Sequence, residues 1–122
     1  MSKHKPKIKI ARAYDPPETE DGCRVLVDRL WPRGVKKEDL KLDDWLKELA
    51  PSDTLRKWFD HDVEKWDEFR ERYRKELDSS SEAIASLLET AAQQPIVLLY
   101  AAKDEAHNNA VVLKEFLEQR LR

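Results

Sequence analysis

The chain is poor in cysteine, in glycine and in long apolar runs. Cys23 is the one cysteine, which excludes an intrachain disulfide and a thiolate metal cluster. With only two glycines the chain cannot form a glycine-rich phosphate loop. No apolar run approaches the roughly 20 residues of a membrane span. The N-terminal segment MSKHKPKIKI lacks the apolar core of a secretory signal. These absences predict a cytoplasmic protein without a membrane partner, and no pattern points to a cofactor.

Charge is nearly balanced, with 23 Lys and Arg against 25 Asp and Glu and a formal net charge of −2. No general attraction to nucleic acid or to an anionic membrane follows from this balance. A short basic arm near the N-terminus is outweighed by the acidic remainder, so nucleic acid is not the expected partner. The length fits one core, and we expect a single domain over residues 1–122, with residues 1–6 flexible. Nothing in the composition predicts the oligomeric state.

Three stretches are typical of β-strands. Residues 7–14 alternate loosely, as in a strand near a sheet edge, and residues 23–30 form a more continuous apolar run. Residues 96–100 are the most apolar run, as in a central strand. The loop over residues 15–22 is shorter than the dozen residues of a usual parallel crossover. The local pattern therefore favours an antiparallel hairpin for the first two strands.

Helical spacing of apolar residues predicts helices over residues 37–49, 53–59 and 63–77, another that buries residues 84–91, and a last one ending near the C-terminus. Candidate N-caps are Ser52, Asp60 or Asp62, Ser79 with Glu82 in a capping box, and Asn108 or Asn109. The order of strands and helices predicts an α/β fold. It is a small three-layer domain with a few-stranded, mainly parallel sheet and helices on both faces.

Polar, charged and aromatic residues that could bind a ligand follow two of the predicted strands. The segment RVLVDRLWPRG, residues 24–34, runs from an apolar strand into a polar tip, and polar residues also follow the strand over 96–100. Ligands of open α/β sheets bind beyond the carboxyl ends of the strands, so the two groups share a crevice if these strands are parallel neighbours. The predicted ligand-binding residues are Asp28, Arg29, Trp31, Arg33, Tyr100, Lys103, Asp104 and Asn108.

These residue types suit recognition of an anion and a planar ring. Arg29 and Arg33 can each offer a bidentate fork to phosphate or carboxylate, and Trp31 offers a stacking face. Asp28 can accept a hydrogen bond from a hydroxyl group of the ligand. The N-terminus of the last helix adds free backbone N–H groups. The predicted partner is a small anionic or nucleotide-like ligand. Two structural alternatives stay open: an ion pair between Asp28 and an arginine, and Trp31 as a cover over the core.

Other polar residues give weaker signals. His61 follows Trp58-Phe59 and is flanked by aspartates, a pattern that is also common at helix starts. A metal site built from His61 and His107 would need carboxylate partners that no spacing indicates, so no metal is predicted. Cys23 opens an apolar strand and is best explained as a small hydrophobic residue.

Three segments carry a resemblance to a known family: VLVDRLWPRG, APSDTLRKWFDHDVEKWDEFRERYRKEL and IVLLYAAKDEAHNNAVVLKEFL. Over residues 8–117 the chain resembles the YeaO-like branch of the domain-of-unknown-function family 488. The resemblance implies a small three-layer α/β domain with a parallel sheet, which argues against the hairpin. It implies no particular reaction.

The chain departs from this family after its last predicted strand. Many members of the wider family carry cysteines there, in a loop resembling Leu-Cys-x-Glu followed by Cys-His-Arg. Here the two positions are filled by Tyr100-Ala101-Ala102-Lys103-Asp104 and by His107-Asn108-Asn109. This chain lacks those cysteines and therefore cannot use them for catalysis or metal binding. The resemblance therefore implies a site that binds without turnover.

Three functions are compatible with these features. The first is an uncharacterised small domain that binds an anionic or nucleotide-like ligand without established catalysis. The second is an enzyme acting on a nucleotide or glycosidic substrate, with Asp28 or Asp104 as general acid or base and Tyr100 as an orienting hydroxyl. It ranks second because neighbouring arginines lower the pKa of a carboxyl group. The third is a protein-interaction module that uses the charged helix faces.

Overall fold

The computed structural model describes residues 7–16 and 22–121. Within these ranges the strands are β1 (Ile8–Arg12), β2 (Cys23–Leu26), β3 (Asp44–Trp45) and β4 (Ile96–Tyr100). The predicted flexibility of residues 1–6, and most of the predicted loop over 15–22, lie outside the described residues. None of the helices in the described part of the chain has the length and apolarity needed to cross a bilayer.

The strands form a parallel sheet with the order β1-β4-β2-β3. Ile96 of β4 lies opposite Ile8 of β1 on one side and opposite Cys23 of β2 on the other. The most apolar run of the chain takes the central position because strands covered on both faces are the most apolar. The sequence predictions of a central β4 and of β1 at an edge are confirmed.

The hairpin that the local pattern favours for β1 and β2 is wrong. Both strands run parallel to β4, which lies between them. The chain can return from the end of β1 to the start of β2 because β1 has five residues, a length of about 17 Å. Ten connecting residues, 13–22, can extend up to about 33 Å. The shortness of the strands makes a short parallel connection possible.

The α-helices of the described chain are α1 (Lys37–Leu40), α2 (Asp53–Phe59), α3 (Trp66–Asp78), α4 (Ser81–Gln93) and α5 (Asn109–Arg120), with 3₁₀ turns at Lys47–Leu49 and Val63–Lys65. The predicted caps Ser52 and Asn108 are confirmed, since their side chains accept the N–H groups of Leu55 and Val111. The capping box at Ser79 is wrong. Helix α4 begins two residues later, and the hydroxyl of its N-cap Ser80 donates to the Glu48 carbonyl instead.

The predicted continuous helix over residues 37–49 is also wrong. Helix α1 is a single turn that ends at Lys41 with a positive φ of 49°. Asp43 then bonds the backbone of Arg24 twice, donating its N–H to the Arg24 carbonyl and accepting the Arg24 N–H with its carboxylate. These bonds lay the next two residues against β2 as β3, so pairing with the sheet overrides the helical spacing.

Alternate residues of the sheet enter two separate cores. Ile96, Leu98 and Tyr100 of β4 pack against the face covered by α2, α3, α4 and α5. Val97 and Leu99 face the other side, where Leu40 of α1 covers them together with the segment that carries Trp31 and Trp45. Helices therefore lie on both faces of a parallel sheet. The predicted small α/β fold class is confirmed.

Candidate ligand-binding site

The carboxyl ends of β2 and β4 lie side by side. The Val27 N–H donates to the Leu99 carbonyl at 3.1 Å, and the Ala101 N–H donates to Asp28 Oδ2 at 2.8 Å. Residues of α2 and the beginning of α5 close around these two ends. Together they frame a cavity of about 360 Å³.

Asp28 is fixed in the wall of this cavity by three neighbours. Its Oδ1 accepts from the side-chain amide of Asn109 at 3.0 Å, in addition to the bond from Ala101 to Oδ2. Its backbone carbonyl accepts the indole N–H of Trp45 at 2.7 Å. Among the described residues Asp28 has no ion pair with an arginine, so the ionic alternative for this tip is absent.

Burial raises the pKa of Asp28 above its ordinary value of 3.8. The hydrogen bonds from Ala101 and Asn109 oppose this rise, as do the positive charges of Arg56 and His61. Burial outweighs them, whereas from the sequence we expected the neighbouring arginines to have the larger effect on this pKa. The carboxyl group at the cavity wall is therefore easier to protonate than an exposed aspartate.

Three cationic side chains line the cavity and are called its cationic side: Arg29, Arg56 and Lys57. Arg29 donates through Nε to the Pro51 carbonyl at 3.3 Å and lies 3.8 Å from Asp53 Oδ1. Arg56 Nη2 contacts the same Asp53 oxygen at 3.2 Å. Lys57 has no ion-pair or hydrogen-bond partner within residues 7–16 and 22–121. These three cationic groups, which Asp53 offsets in part, offer charged donors to an anion although the whole chain is slightly acidic.

Aromatic rings line another part of the cavity. The rings of Phe59 and Phe69 are stacked with their centroids 4.3 Å apart, and both residues reach the cavity. Trp31 lines it as well, while its indole N–H donates to the Val35 carbonyl at 2.7 Å. The same ring meets Trp45 edge-on at 5.5 Å. Trp31 therefore lines the cavity and also covers the second core.

Two histidines complete the lining. His61 follows Asp60 at the end of α2, and both have positive φ values, 57° and 45°. Such left-handed geometry is uncommon for residues other than glycine and is found often at functional sites. His107 Nδ1 lies 2.9 Å from Asp104 Oδ2, and its ring meets Trp66 edge-on. No group of three His, Cys, Asp or Glu residues that could hold a metal occurs in the part of the chain that the structure describes.

Of the eight residues predicted from the sequence, the structure brings Asp28, Arg29, Trp31 and Asn108 into this cavity. Arg33 is exposed, and its carbonyl accepts the Tyr14 hydroxyl at 2.9 Å. Lys103 is exposed and lies outside the lining. Their role in binding stays a prediction.

Tyr100 and Asp104 are also placed away from the lining. Tyr100 is buried in the helix-covered core and borders a separate cavity beside Arg12. Asp104 closes its own loop, because its Oδ1 accepts the N–H groups of Ala106 and His107. The bond from Ala106 is the largest cause of the lowered pKa of Asp104. A lowered pKa does not suit a general acid at neutral pH.

Several lining residues were not predicted from the sequence as binding residues: Arg56, Lys57, Phe59, Phe69 and Asn109. The sequence indicated Asn109 only as a candidate helix cap. For Arg56 and Lys57 the sequence holds no signal, since their approach to Asp28 depends on how α2 packs. The aspartates around His61 were a signal, because a polar turn directly after a short amphipathic helix often lies at a site.

The chain matches the DUF488-N3i family, described as "Inactive DUF488-N3 subclade", over residues 7–122. The chain belongs to this family. It is 49% identical over 110 residues to the uncharacterized protein YeaO of Escherichia coli K12, an alignment that covers 90% of this chain and 96% of YeaO. It is 39% identical over 114 residues to the uncharacterized protein Rv3073c of Mycobacterium tuberculosis H37Rv, covering 93% of this chain and 96% of that protein. No solved structure matches the chain.

Proposed function

We propose that this protein binds a small anionic, nucleotide-like ligand in the cavity beyond the carboxyl ends of β2 and β4, without turning it over. One observation carries the proposal: cationic side chains and aromatic rings line the same cavity. Arg29, Arg56 and Lys57 supply the charge, and the half-buried ring of Trp31 supplies an aromatic surface. An anionic group on a planar ring system satisfies both.

The volume of the cavity limits the size of the ligand. Its volume of about 360 Å³ is near the lower end of the range of about 300–1,000 Å³ typical of small-molecule sites. This space suits a mononucleotide or a sugar phosphate better than a dinucleotide. We expect a ligand with one ring system and one anionic group.

Asp28 adds a hydrogen-bond acceptor to the wall. An ionised carboxylate has about four acceptor positions, and N–H groups of Ala101 and Asn109 occupy two of them. The remaining positions suit a donor such as a sugar hydroxyl. Asp28 would then orient the ligand while the cationic side holds its charge.

One fact supports binding without turnover: the family is described as an inactive subclade.

The test is binding to a panel of the four ribonucleosides, their 5′-monophosphates and their 3′,5′-cyclic monophosphates, measured by thermal shift and calorimetry. We expect at least one anionic compound to raise the melting temperature of the wild type at millimolar concentration. Arg56→Gln should weaken that binding about tenfold, because a charge-assisted hydrogen bond is lost. Arg74→Gln, on α3 outside the lining, is the matched control. If no anion of the panel binds, the proposed function is overturned.

A second candidate is an enzyme in which Asp28 is the general acid or base. Its raised pKa at a cavity wall is the observation that favours this role. The enzyme would convert a bound nucleotide or glycoside, and Asp28→Asn would abolish conversion while the ligand still binds. Chromatography of panel compounds after incubation with stoichiometric protein distinguishes the two candidates. Recovery of unchanged ligand from a protein that binds it rejects the enzyme.

A further inference from the structure

We infer that the ligand of this cavity carries a terminal phosphate monoester, and that Asp53 sets this requirement as an internal counter-ion. The inference rests on the proposed function and deepens it. It is drawn from the one carboxylate oxygen that contacts both arginines of the cationic side. Arg56 Nη2 lies 3.2 Å and Arg29 Nε 3.8 Å from Asp53 Oδ1.

The charges of Arg29, Arg56 and Asp53 determine which anions gain electrostatic free energy when they bind in the cavity. Arg29, Arg56 and Asp53 together carry one net positive charge, and the lining of the cavity adds Lys57, Asp28 and Asp60. An anion that bridges Arg29 Nε and Arg56 Nη2, as Asp53 Oδ1 does, takes the place of that carboxylate. A monoanion then replaces one negative charge by another, so its electrostatic gain is close to nil. A phosphate monoester carries about −1.5 to −2 charges near neutral pH and gains from the exchange.

Asp53 is placed so that it can give way. Its side chain is 59% exposed, so it can turn into solvent. It is the first residue of α2, but the cap of that helix is Ser52, whose hydroxyl accepts the Leu55 N–H. Release of the Asp53 carboxylate therefore leaves the helix capped. Arg29 also keeps its bond to the Pro51 carbonyl, which holds its guanidinium near the cavity.

Lys57 strengthens the preference for a dianion. It lines the same cavity, and no described residue pairs with its ammonium group. A doubly charged phosphate can engage the two arginines and still attract Lys57. A singly charged diester has no charge left for it once it has replaced Asp53.

The experiment compares each ribonucleoside with its 5′-monophosphate and its 3′,5′-cyclic monophosphate by calorimetry at low salt. The 5′-monophosphates have a dianionic terminal phosphate, the cyclic compounds are monoanionic diesters, and the nucleosides are neutral. For the wild type we expect the monoester to bind at least about tenfold more tightly than the matching cyclic diester. Equal or tighter binding of the cyclic compounds overturns the inference, while the proposed function stands.

Asp53→Asn removes the internal counter-ion and should lower the dissociation constants of both anions by about three- to tenfold. Binding of the neutral nucleosides should not change. Asp53→Ser is a second variant that removes the same charge with a smaller side chain. The matched control is Asp60→Asn, an exposed carboxylate on the same cavity that forms no ion pair with a described residue.

The outcomes separate the two proposals. If Asp53→Asn and Asp53→Ser leave anion binding unchanged or weaken it, the counter-ion role is overturned. That role is also overturned if Asp60→Asn tightens anion binding as much as Asp53→Asn does. If neither the wild type nor the variants bind any anion, the proposed function fails, and this inference fails with it.

Discussion

Asn109 fastens the beginning of α5 to the end of β2, because its side-chain amide donates to Asp28 Oδ1 at 3.0 Å and to the Val27 carbonyl at 2.8 Å. The partners are more than 80 residues apart in sequence. With one side chain, the two bonds satisfy the Val27 carbonyl and the half-buried carboxylate of Asp28. They also define one corner of the cavity.

Replacement of Asn109 by alanine should destabilise the protein. The Val27 carbonyl and Asp28 Oδ1 would each lose a donor in a buried setting, and we expect a loss of about 1–3 kcal/mol in the free energy of unfolding. Urea denaturation monitored by tryptophan fluorescence measures it. Gln119→Ala, on the exposed side of the same helix, should change stability by less than about 0.5 kcal/mol. Equal effects of the two variants would contradict this account of Asn109.

Asp28 should titrate above 3.8, the ordinary pKa of an aspartate. Carbon-13 chemical shifts of its carboxyl group, followed by NMR, measure the midpoint. Since the folded protein holds this proton to a higher pH than the unfolded chain, the contribution of Asp28 to stability is fully present below the unfolded pKa. It is lost as the pH rises through the folded pKa.

Asp28→Asn removes this titration and serves as the control. The wild type should exceed the variant in free energy of unfolding by more at pH 4 than at pH 7. A gap that widens toward pH 7, or a carboxyl midpoint at or below 3.8, contradicts the dominance of burial at this site.

Gly22 and Gly34 both have positive φ values, 106° and 81°, yet they should tolerate alanine differently. A Cβ atom at Gly34 meets nothing within 4 Å, so Gly34→Ala should destabilise by only about 1–2 kcal/mol, through left-handed strain. A Cβ atom at Gly22 would lie 2.6 Å from the Pro95 carbonyl oxygen, where β4 begins. Gly22→Ala should therefore destabilise more than Gly34→Ala. Thermal denaturation of the pair measures the difference, and the reverse order would contradict it.

Ser52 links α2 to α3 and also caps α2. Its backbone N–H and its hydroxyl donate to the two carboxylate oxygens of Glu76, at 2.8 and 2.6 Å. Its hydroxyl also accepts the Leu55 N–H. We expect Ser52→Ala to lower the free energy of unfolding by about 1–2 kcal/mol. Ser86→Ala on the exposed face of α4 should be nearly neutral in the same denaturant titration, and a similar loss there would point to a general effect of removing serines.

The fold could be predicted where local pattern and tertiary demand agree. The apolar run of β4 requires burial on both faces, and this alone indicates its central place. Strand β3 could not be predicted, because two residues carry no periodicity and its pairing depends on Asp43 reaching the backbone of Arg24. The apolar residues around Leu40 and Trp45 do have helical spacing. They belong to two separate elements, α1 and β3, which contact the same core.

Part of the candidate site could be predicted from the direction of the strands. Parallel neighbours end at the same edge, so the approach of Asp28 to the residues after β4 follows from strand direction. The positions of Arg56 and Phe59 do not follow from it, since α2 reaches the cavity only through its packing on the sheet. The place of Tyr100 at the end of β4 predicts a residue of the site. Strand alternation turns its side chain into the helix-covered core instead.

The placement of β4 has a consequence for the order of events during synthesis. Strands β1 and β2 have no bonds to each other in the register of the sheet, and each is joined to β4. While the ribosome has made only the first 95 residues, β1 has no neighbour on which to align, and β2 has only the two residues of β3. Emergence of Ile96–Tyr100 supplies the template for both at once. A nascent chain that stalls before this point has unpaired strand edges, so β1 and β2 can join in one sheet only after β4 has been made.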